Sequence, residues 1–374
     1  MIPALFANDA KTFDTLGMGS VPEAVECFVE EERNGGFIMN MRVPATASYA
    51  AKINVGTLVV ADASPQQKRQ AFEIVKVTKA LNNMIQVYAE HVSYRLLYSI
   101  LKPFPSAGID GLNNVFNRLS DNHNGSYYDE GNDFTFTWSG WESAAANTKL
   151  DEHLAVKTFL FGKTGSVLDV YGGCYKWDNF TVILYKERGT DNGIRITYGR
   201  NLTDINAEYS NENESSCNGV LPLYKNSDKT LFGSIKTPEN DPDVRDLYSY
   251  RRTIVKDFTS DITVNDGETD EQIITKINNK AQAWINKDHK GYPTVNLKTS
   301  FVPLSQTVEY RDLANLESVE IDDTVHVYVP TLDVDVAAKI IKTRYNVLLD
   351  RYDSVEVGNF KTTINQAIRS VKGV

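Results

Sequence analysis

The chain has 374 residues, enough for about two to four domains, and 41% of them are hydrophobic, which supplies each domain with a core. Lys and Arg number 39 against 49 Asp and Glu, a net charge of −10; the basic pairs Lys68-Arg69 and Arg251-Arg252 are isolated. That balance excludes a dedicated nucleic-acid binder, which neutralises phosphates with clustered cations.

Residues 1–104 read as a small β-barrel-like unit. Ala24 to Glu30 and Phe37 to Val43 flank Asn34-Gly35-Gly36 and predict a hairpin. Leu58 to Ala61 and Phe72 to Val77 flank a polar loop containing Ser64-Pro65, and Leu81-Asn82-Asn83 turns the chain into Met84 to Ala89. Short strands at regular spacing suggest barrel closure. Val92 to Tyr98 is a short amphipathic exit, and Pro103 and Pro105 end the unit. Residues 105–150 are a connector. Leu112, Val115, Phe116 and Leu119 form one buried helical stripe with Asp110 as N-cap. Asp121-Asn-His-Asn-Gly125 stops that helix, and Phe134 to Trp138 is a strand.

Residues 151–245 form a mixed α+β unit. Ala155 to Phe161 is a helix stopped by Gly162, and Ser166 to Tyr171 is a helical turn stopped by Gly172-Gly173. Asp178-Asn179 and Asp191-Asn192-Gly193 are turn formers around the strands Phe180 to Tyr185 and Ile194 to Tyr198, which predicts two successive hairpins. Ser210 to Ser216 is a polar loop. Residues 246–374 combine one strong helix with a second barrel-like unit. Thr269 and Gln272 make a capping box, and Ile273, Ile277, Ala281, Trp284 and Ile285 line one face. A turn at Gly291-Tyr-Pro293 leads to strands at Val295 to Leu297, Val319 to Ile321, Thr324 to Val329, Ala338 to Lys342 and Ser354 to Val357. Asp322-Asp323 and Asp333 mark turns, and Thr362 to Val374 is helix-compatible. The fold class is α+β, mostly β, with two barrel-like domains bracketing mixed ones.

The residues that carry chemistry form no catalytic, metal or cofactor constellation in sequence. His91, His123, His153, His289 and His326 include no i, i+4 pair and no HExxH. His91, next to Glu90, reads as a satisfied polar group at a domain edge. His326 alternates with Val325 and Val327 in a strand, facing outward or toward a neighbouring subunit. Cys27, Cys174 and Cys217 are too few and too scattered for a disulfide framework or a zinc site, and predict buried free thiols in a reducing compartment. Cys174 follows Gly172-Gly173 at a turn, but Tyr175 and Trp177 alternate with it, which favours packing. Gly162-Lys-Thr-Gly-Ser166 lacks the spacing of a phosphate loop, so Lys163 is a solvated turn residue. Gly17-Met-Gly19 lacks a third glycine, and Asp333-Val-Asp335 has no calcium loop around it. No pair of carboxylates is singled out for glycosidase work. The 19 tyrosines and four tryptophans suit sugar stacking or subunit interfaces, and without catalytic spacing the interface is favoured. Met1 to Lys11 has no basic n-region, and no stretch approaches the roughly 20 apolar residues of a membrane span, so neither a signal peptide nor a membrane segment is expected.

Gly165 to Asp204 resembles the phage and prophage endopeptidase tail family, the tail-tip hub proteins of Gram-positive phages. Tyr88 to Tyr94, Phe134 to Ser139, Tyr345 to Tyr352 and Val355 to Phe360 resemble the same family in the same order. Cys174 stands where the family pattern leads one to expect an acidic residue after Gly172-Gly173. The resemblance implies a structural part of a phage or prophage tail tip, similar to the baseplate hub of contractile tails. There, two barrel-like domains per subunit assemble as a homotrimer into a pseudo-six-fold ring. The implied partners are the chain itself, the distal tail protein or tail-tube ring, the tape measure protein and receptor-binding proteins. The implied location is the virion tail tip, after synthesis in the host cytoplasm. Any peptidase of such a protein is expected beyond residue 374. The alternatives are a cell-wall hydrolase, or a host-surface carbohydrate-binding module built on 106–245.

Overall fold

The computed structural model describes residues 1–104, 111–120, 127, 132–141, 149–162, 165–197, 202–210, 216–239, 248, 250–265, 267–286, 291, 294–301, 319–329 and 334–358. Asp110, Asp121 to Gly125, Lys163, most of the 210–216 loop, Tyr292-Pro293, Asp333 and Thr362 to Val374 lie outside the described residues.

The elements along the chain are β1 (Ala4–Phe6), β2 (Gly19–Ser20), β3 (Glu26–Glu32), β4 (Phe37–Pro44), β5 (Leu58–Ala61), β6 (Gln70–Lys79), β7 (Met84–His91) and β8 (Ile100–Leu101). Next come α1 (Gly111–Ser120), β9 (Thr135–Ser139), β10 (Leu154–Ala155), α2 (Val156–Leu160), α3 (Val167–Tyr171), β11 (Cys174–Asp178), β12 (Thr181–Tyr185) and β13 (Asp191–Thr197). The rest are β14 (Leu202–Ser210), β15 (Gly219–Lys225), β16 (Thr230–Phe232), β17 (Thr253–Asp257), α4 (Asp270–Ile285), β18 (Thr294–Phe301), β19 (Thr324–Val329), β20 (Val334–Asn346) and β21 (Arg351–Gly358). The described structure is mostly β with few helices, as the composition and turn spacing predict.

Contacts divide the chain into two units that are not consecutive segments: residues 1–205, 298–326 and 339–357, and residues 206–297, 327–338 and 358–374. In the first, one curled sheet runs in the order β21-β20-β3-β4-β7-β6-β5-β1-β2. The predicted β3-β4 hairpin is present, with Glu26 opposite Arg42 and Glu31 opposite Phe37, and Asn34 takes the positive φ of 53° that its tight turn requires. The late strand β20 pairs with β3, placing Lys342 opposite Glu32 and Asn346 opposite Phe28. Period-two alternation puts Cys27, Val29, Met39, Met41, Val87 and Ala89 in the core. Phe6, Phe13, Leu58, Val60, Ala71 and Val92 pack on the other face of the β1-β5-β6 edge.

Two expectations for the later part of the chain need correction. The first concerns Asp191-Asn192-Gly193, which does not close a hairpin. Strand β12 is flanked by β11 and, in parallel, by β9, whereas β13 begins at Asp191 and pairs with β19. Local turn chemistry survives, since the Gly193 N–H donates to the Asp191 carboxylate over 2.9 Å and Gly193 has φ 67°. Arg188 and Thr190, however, are drawn onto distant partners, and this carries the chain off the β12 edge. The second concerns Val319 to Ile321, which is not a strand but the buried approach to a turn at Asp322, whose φ is 74°.

In the second unit, α4 packs on the three-stranded sheet β16-β15-β17. The capping box forms in full: Thr269 Oγ1 accepts from the Gln272 N–H, and Gln272 Oε1 from the Thr269 N–H. Ile273, Ile277, Ala281 and Ile285 are buried against Val220 and Tyr224. Each isoleucine so buried contributes about 1.5–3 kcal/mol.

Candidate functional site

Within the first unit, three places concentrate polar chemistry. The first is a charged centre. Arg188 Nη1 lies 2.8 Å from Glu31 Oε1, with side chains only 3% and 5% exposed, and it also donates to the Tyr175 carbonyl at 2.8 Å. Burial disfavours the guanidinium's charge, but its neighbours together, Glu31 foremost, more than offset this and raise its pKa above the ordinary value. Asp322 receives the Arg33 Nε at 2.6 Å and the Arg188 backbone N–H at 3.2 Å. Asp323 accepts from the Thr190 and Glu320 backbone N–H groups at 2.8 and 2.7 Å, while burial pushes its carboxyl pKa up. Gly189 makes this approach possible, because a Cβ there would stand 1.9 Å from the Asp322 carbonyl oxygen. The centre binds β3, the β12-β13 connection and the β19 approach together. Its carboxylates and cations pair mainly with one another and with backbone, an arrangement that stabilises structure.

The second place surrounds Lys157 on α2. Its ammonium lies 3.2 Å from the centroid of the Tyr94 ring and 5.1 Å from that of Trp177, and donates to Ser93 Oγ at 3.4 Å. Burial lowers its pKa to about 7, against a smaller upward pull from Glu90. His91 is fully buried nearby and stacked on Phe37 at 4.4 Å. Its Nε2 faces Gln70 Oε1 at 3.3 Å and its Nδ1 accepts from the Ser93 N–H, a pattern that fits neutral imidazole protonated on Nε2. Burial, with the Lys157 charge nearby, holds its pKa well below the usual histidine value. His91 is thus the satisfied polar group expected from sequence, although it sits inside the core.

The third is an open depression of about 500 Å³ above that core. It is lined by Asn8, Asp9, Glu73, Val75, Glu90 and Arg95, with His91, Tyr94 and Tyr98. Sequence reading misses it because its walls come from the 8–9 loop, β6, β7 and the 3₁₀ turn Val92–Leu97. The one local signal is the polar–apolar mixture of Tyr88 to Tyr98.

The other sequence candidates are dispersed. Cys27, Cys174 and Cys217 are buried and form no disulfide with one another, and burial raises the first two thiols to about 12 and about 11. All three pack in the core, and Cys27 and Cys174 are thiols rather than thiolates. His326 is half-exposed on β19, with Nε2 3.1 Å from Asp191 Oδ2. His123 and His289 lie outside the described residues. Gly165 and Ser166 cap α3: the Gly165 N–H donates to Asp169 Oδ2 at 2.8 Å and Ser166 Oγ accepts from the Asp169 N–H. Among the described residues no group of three or more His, Cys, Asp or Glu is placed to hold a metal ion, and no helix is long and apolar enough to cross a membrane.

No family model and no curated protein matches the sequence, so the endopeptidase tail family named by resemblance has no matching model behind it. Solved structures do match over the whole chain. The prophage tail protein gp18 of Listeria monocytogenes is 11% identical with a TM-score of 0.57, covering 100% of both chains. The 43 kDa tail protein of prophage MuSo2 from Shewanella oneidensis is 9% identical with a TM-score of 0.62, covering 98% of this chain and 100% of that one. A tail protein from Neisseria meningitidis is 9% identical with a TM-score of 0.56, covering 98% of both. At these identities the likeness is one of fold: the chain has the fold of these tail proteins.

Proposed function

We propose that this chain is a structural component of a phage or prophage tail, placed at the tip, where it assembles as a homotrimeric hub. Its ring joins the tail tube or distal tail protein to the tip, with the tape measure protein and receptor-binding proteins as further partners. The observation that carries the reading is the fold shared with three tail proteins of comparable length. In this reading the β-rich ends, residues 1–104 and 246–374, act as paired modules presenting similar edges to a six-fold partner. The chain works by shape and carries no reaction of its own. Burial supports this: the charged centre and the Lys157 centre are locked into packing.

The second unit supplies a surface suited to subunit contact. Leu223 lies opposite Phe232, and Leu221 opposite Val255, on the sheet face away from α4. Phe232 is 53% and Val255 59% exposed, an apolar patch that a neighbouring subunit would cover. The reading is tested by gold-labelling the chain in particles from an induced lysogen and imaging them. Label at the tail tip is the expected result. Absence of the chain from purified particles contradicts it.

A further inference from the structure

Among the described residues, the three-stranded sheet of the second unit carries a helix on one side. Val220, Tyr224, Leu231 and Ile254 face α4. By strand alternation Leu221, Leu223, Phe232 and Val255 face the other way, the leucines half-buried and the other two exposed. The charged residues beside them, Lys225, Arg251 and Asp257, are exposed and of mixed sign, so apolar area rather than charge selects what covers this face. Its size suits a helix. Strands about 4.8 Å apart set β16 and β17 about 10 Å from each other, and a helix is about 10–12 Å across.

A homotrimer cannot cover this face with the same face of another copy. A patch that meets itself makes a two-fold contact, whereas a three-fold ring joins two different surfaces. The second surface must therefore be a different apolar one, and residues 361–374, outside the described residues, carry it in their sequence. Thr363 and Gln366 repeat the spacing of the Thr269–Gln272 capping box that starts α4. Ile364, Ala367, Ile368 and Val371 follow at i, i+3, i+4 and i+7, within about 100° of a helical wheel, and the polar residues between them take the rest. Gly373 is a stop signal. As a helix, Ile364 to Lys372 is about 14 Å long, and it fits along β15, whose seven residues span about 23 Å. So short a helix is marginal alone in water, and an apolar seat is what it needs to form.

We propose that the open face of the β16-β15-β17 sheet is the seat of residues 363–372 of a neighbouring copy, folded there as a helix. Each copy gives its segment to the next and receives one from the last, so the three contacts close a ring. The inference rests on the homotrimer reading, which supplies the neighbour, and names the two surfaces that meet.

The test is cross-linking of the full chain carrying Thr253→Cys and Ser370→Cys, two polar positions that leave the apolar surfaces intact. The reagent is a flexible bismaleimide long enough to span the face, and the products are read on a denaturing gel and by peptide mapping. The native cysteines are buried and stay unreacted. Covalent dimers and trimers joined from 253 of one chain to 370 of another are expected, and neither single variant is expected to give them. In a second arm, Ile364→Asp combined with Ile368→Asp is expected to raise the concentration at which the trimer half-dissociates at least about hundredfold. Circular dichroism checks that this variant still folds. A 253–370 link within one chain, a 253–253 link, no link in a variant that native mass spectrometry shows to be trimeric, or an unweakened trimer in the Asp variant would each overturn the proposal and leave the homotrimer reading standing. A monomeric wild-type chain would overturn both.

Discussion

In the second unit, α4 is held by residues whose pairing is written within a few turns of helix. Thr269 meets Gln272, and Ile273, Ile277, Ala281 and Ile285 recur on one face. In the first unit, the charged centre joins Arg188 to Glu31 across 157 positions, Arg188 to Asp322 across 134, and Arg33 to Asp322 across 289. Both are buried, but one is assembled by local periodicity and the other by the closing of the whole unit. A local device tolerates the loss of a single group at modest cost. A buried ion pair does not, because deleting one partner strands the other charge away from water.

The sharpest break is Gly189→Ala. The added methyl would overlap the Asp322 carbonyl, so a loss of at least about 4 kcal/mol, or failure to fold, is expected in urea denaturation. Near-normal stability would mean that the two segments do not approach so closely. Next is Arg188→Met, expected to cost about 3–5 kcal/mol, with much of the loss recovered when Glu31→Leu is added. If the double variant is no more stable than the single, the pair is not the energetic unit described.

On the local side, Ile277→Ala should cost about 2–5 kcal/mol and Thr269→Ala about 1 kcal/mol. A cap deletion as costly as the core deletion would erase the contrast between the two regions. A probe that needs no change to the charged centre or to α4 is pH. The Lys157 pKa of about 7 in the folded chain lies below the roughly 10.4 of an unfolded lysine. Between these values the unfolded chain binds more protons, so Lys157 makes stability rise with pH across that window. Below about pH 7 the cost of burying the charge is fully present. The stability difference between wild type and Lys157→Met should therefore shift in favour of wild type from about pH 7 to about pH 10. A difference flat with pH would show that the ammonium is solvated.

What was legible in the sequence follows the same division. The β3-β4 hairpin, β7, α1, α4 and β19 are all marked by turn residues or by period, and each lies where those marks place it. The pairing of β20 with β3 left no local mark, since antiparallel register between residues 28 and 346 depends only on the completed sheet. Asp191-Asn192-Gly193 carried a strong hairpin signal that tertiary contacts at Arg188 and Thr190 overrode. The cysteines were legible as packing residues, and His91 as a satisfied polar group, though at a domain edge and not in the core where it lies. The depression was not, because Glu73 and Glu90 become neighbours only after β6 and β7 pair, and Asp9 joins its wall from a separate loop. Lys157 gave no signal either: a lysine on a short helix ordinarily reads as solvated, and only Tyr94 and Trp177 reveal otherwise.

A chain that works by joining copies of itself, as proposed, must assemble in solution, and native mass spectrometry reads that assembly. A species at three times the 41.9 kDa chain mass is predicted, reverting to single chains when Phe232→Asp and Val255→Asp are combined. A wild-type protein that stays monomeric at the highest attainable concentration would contradict it.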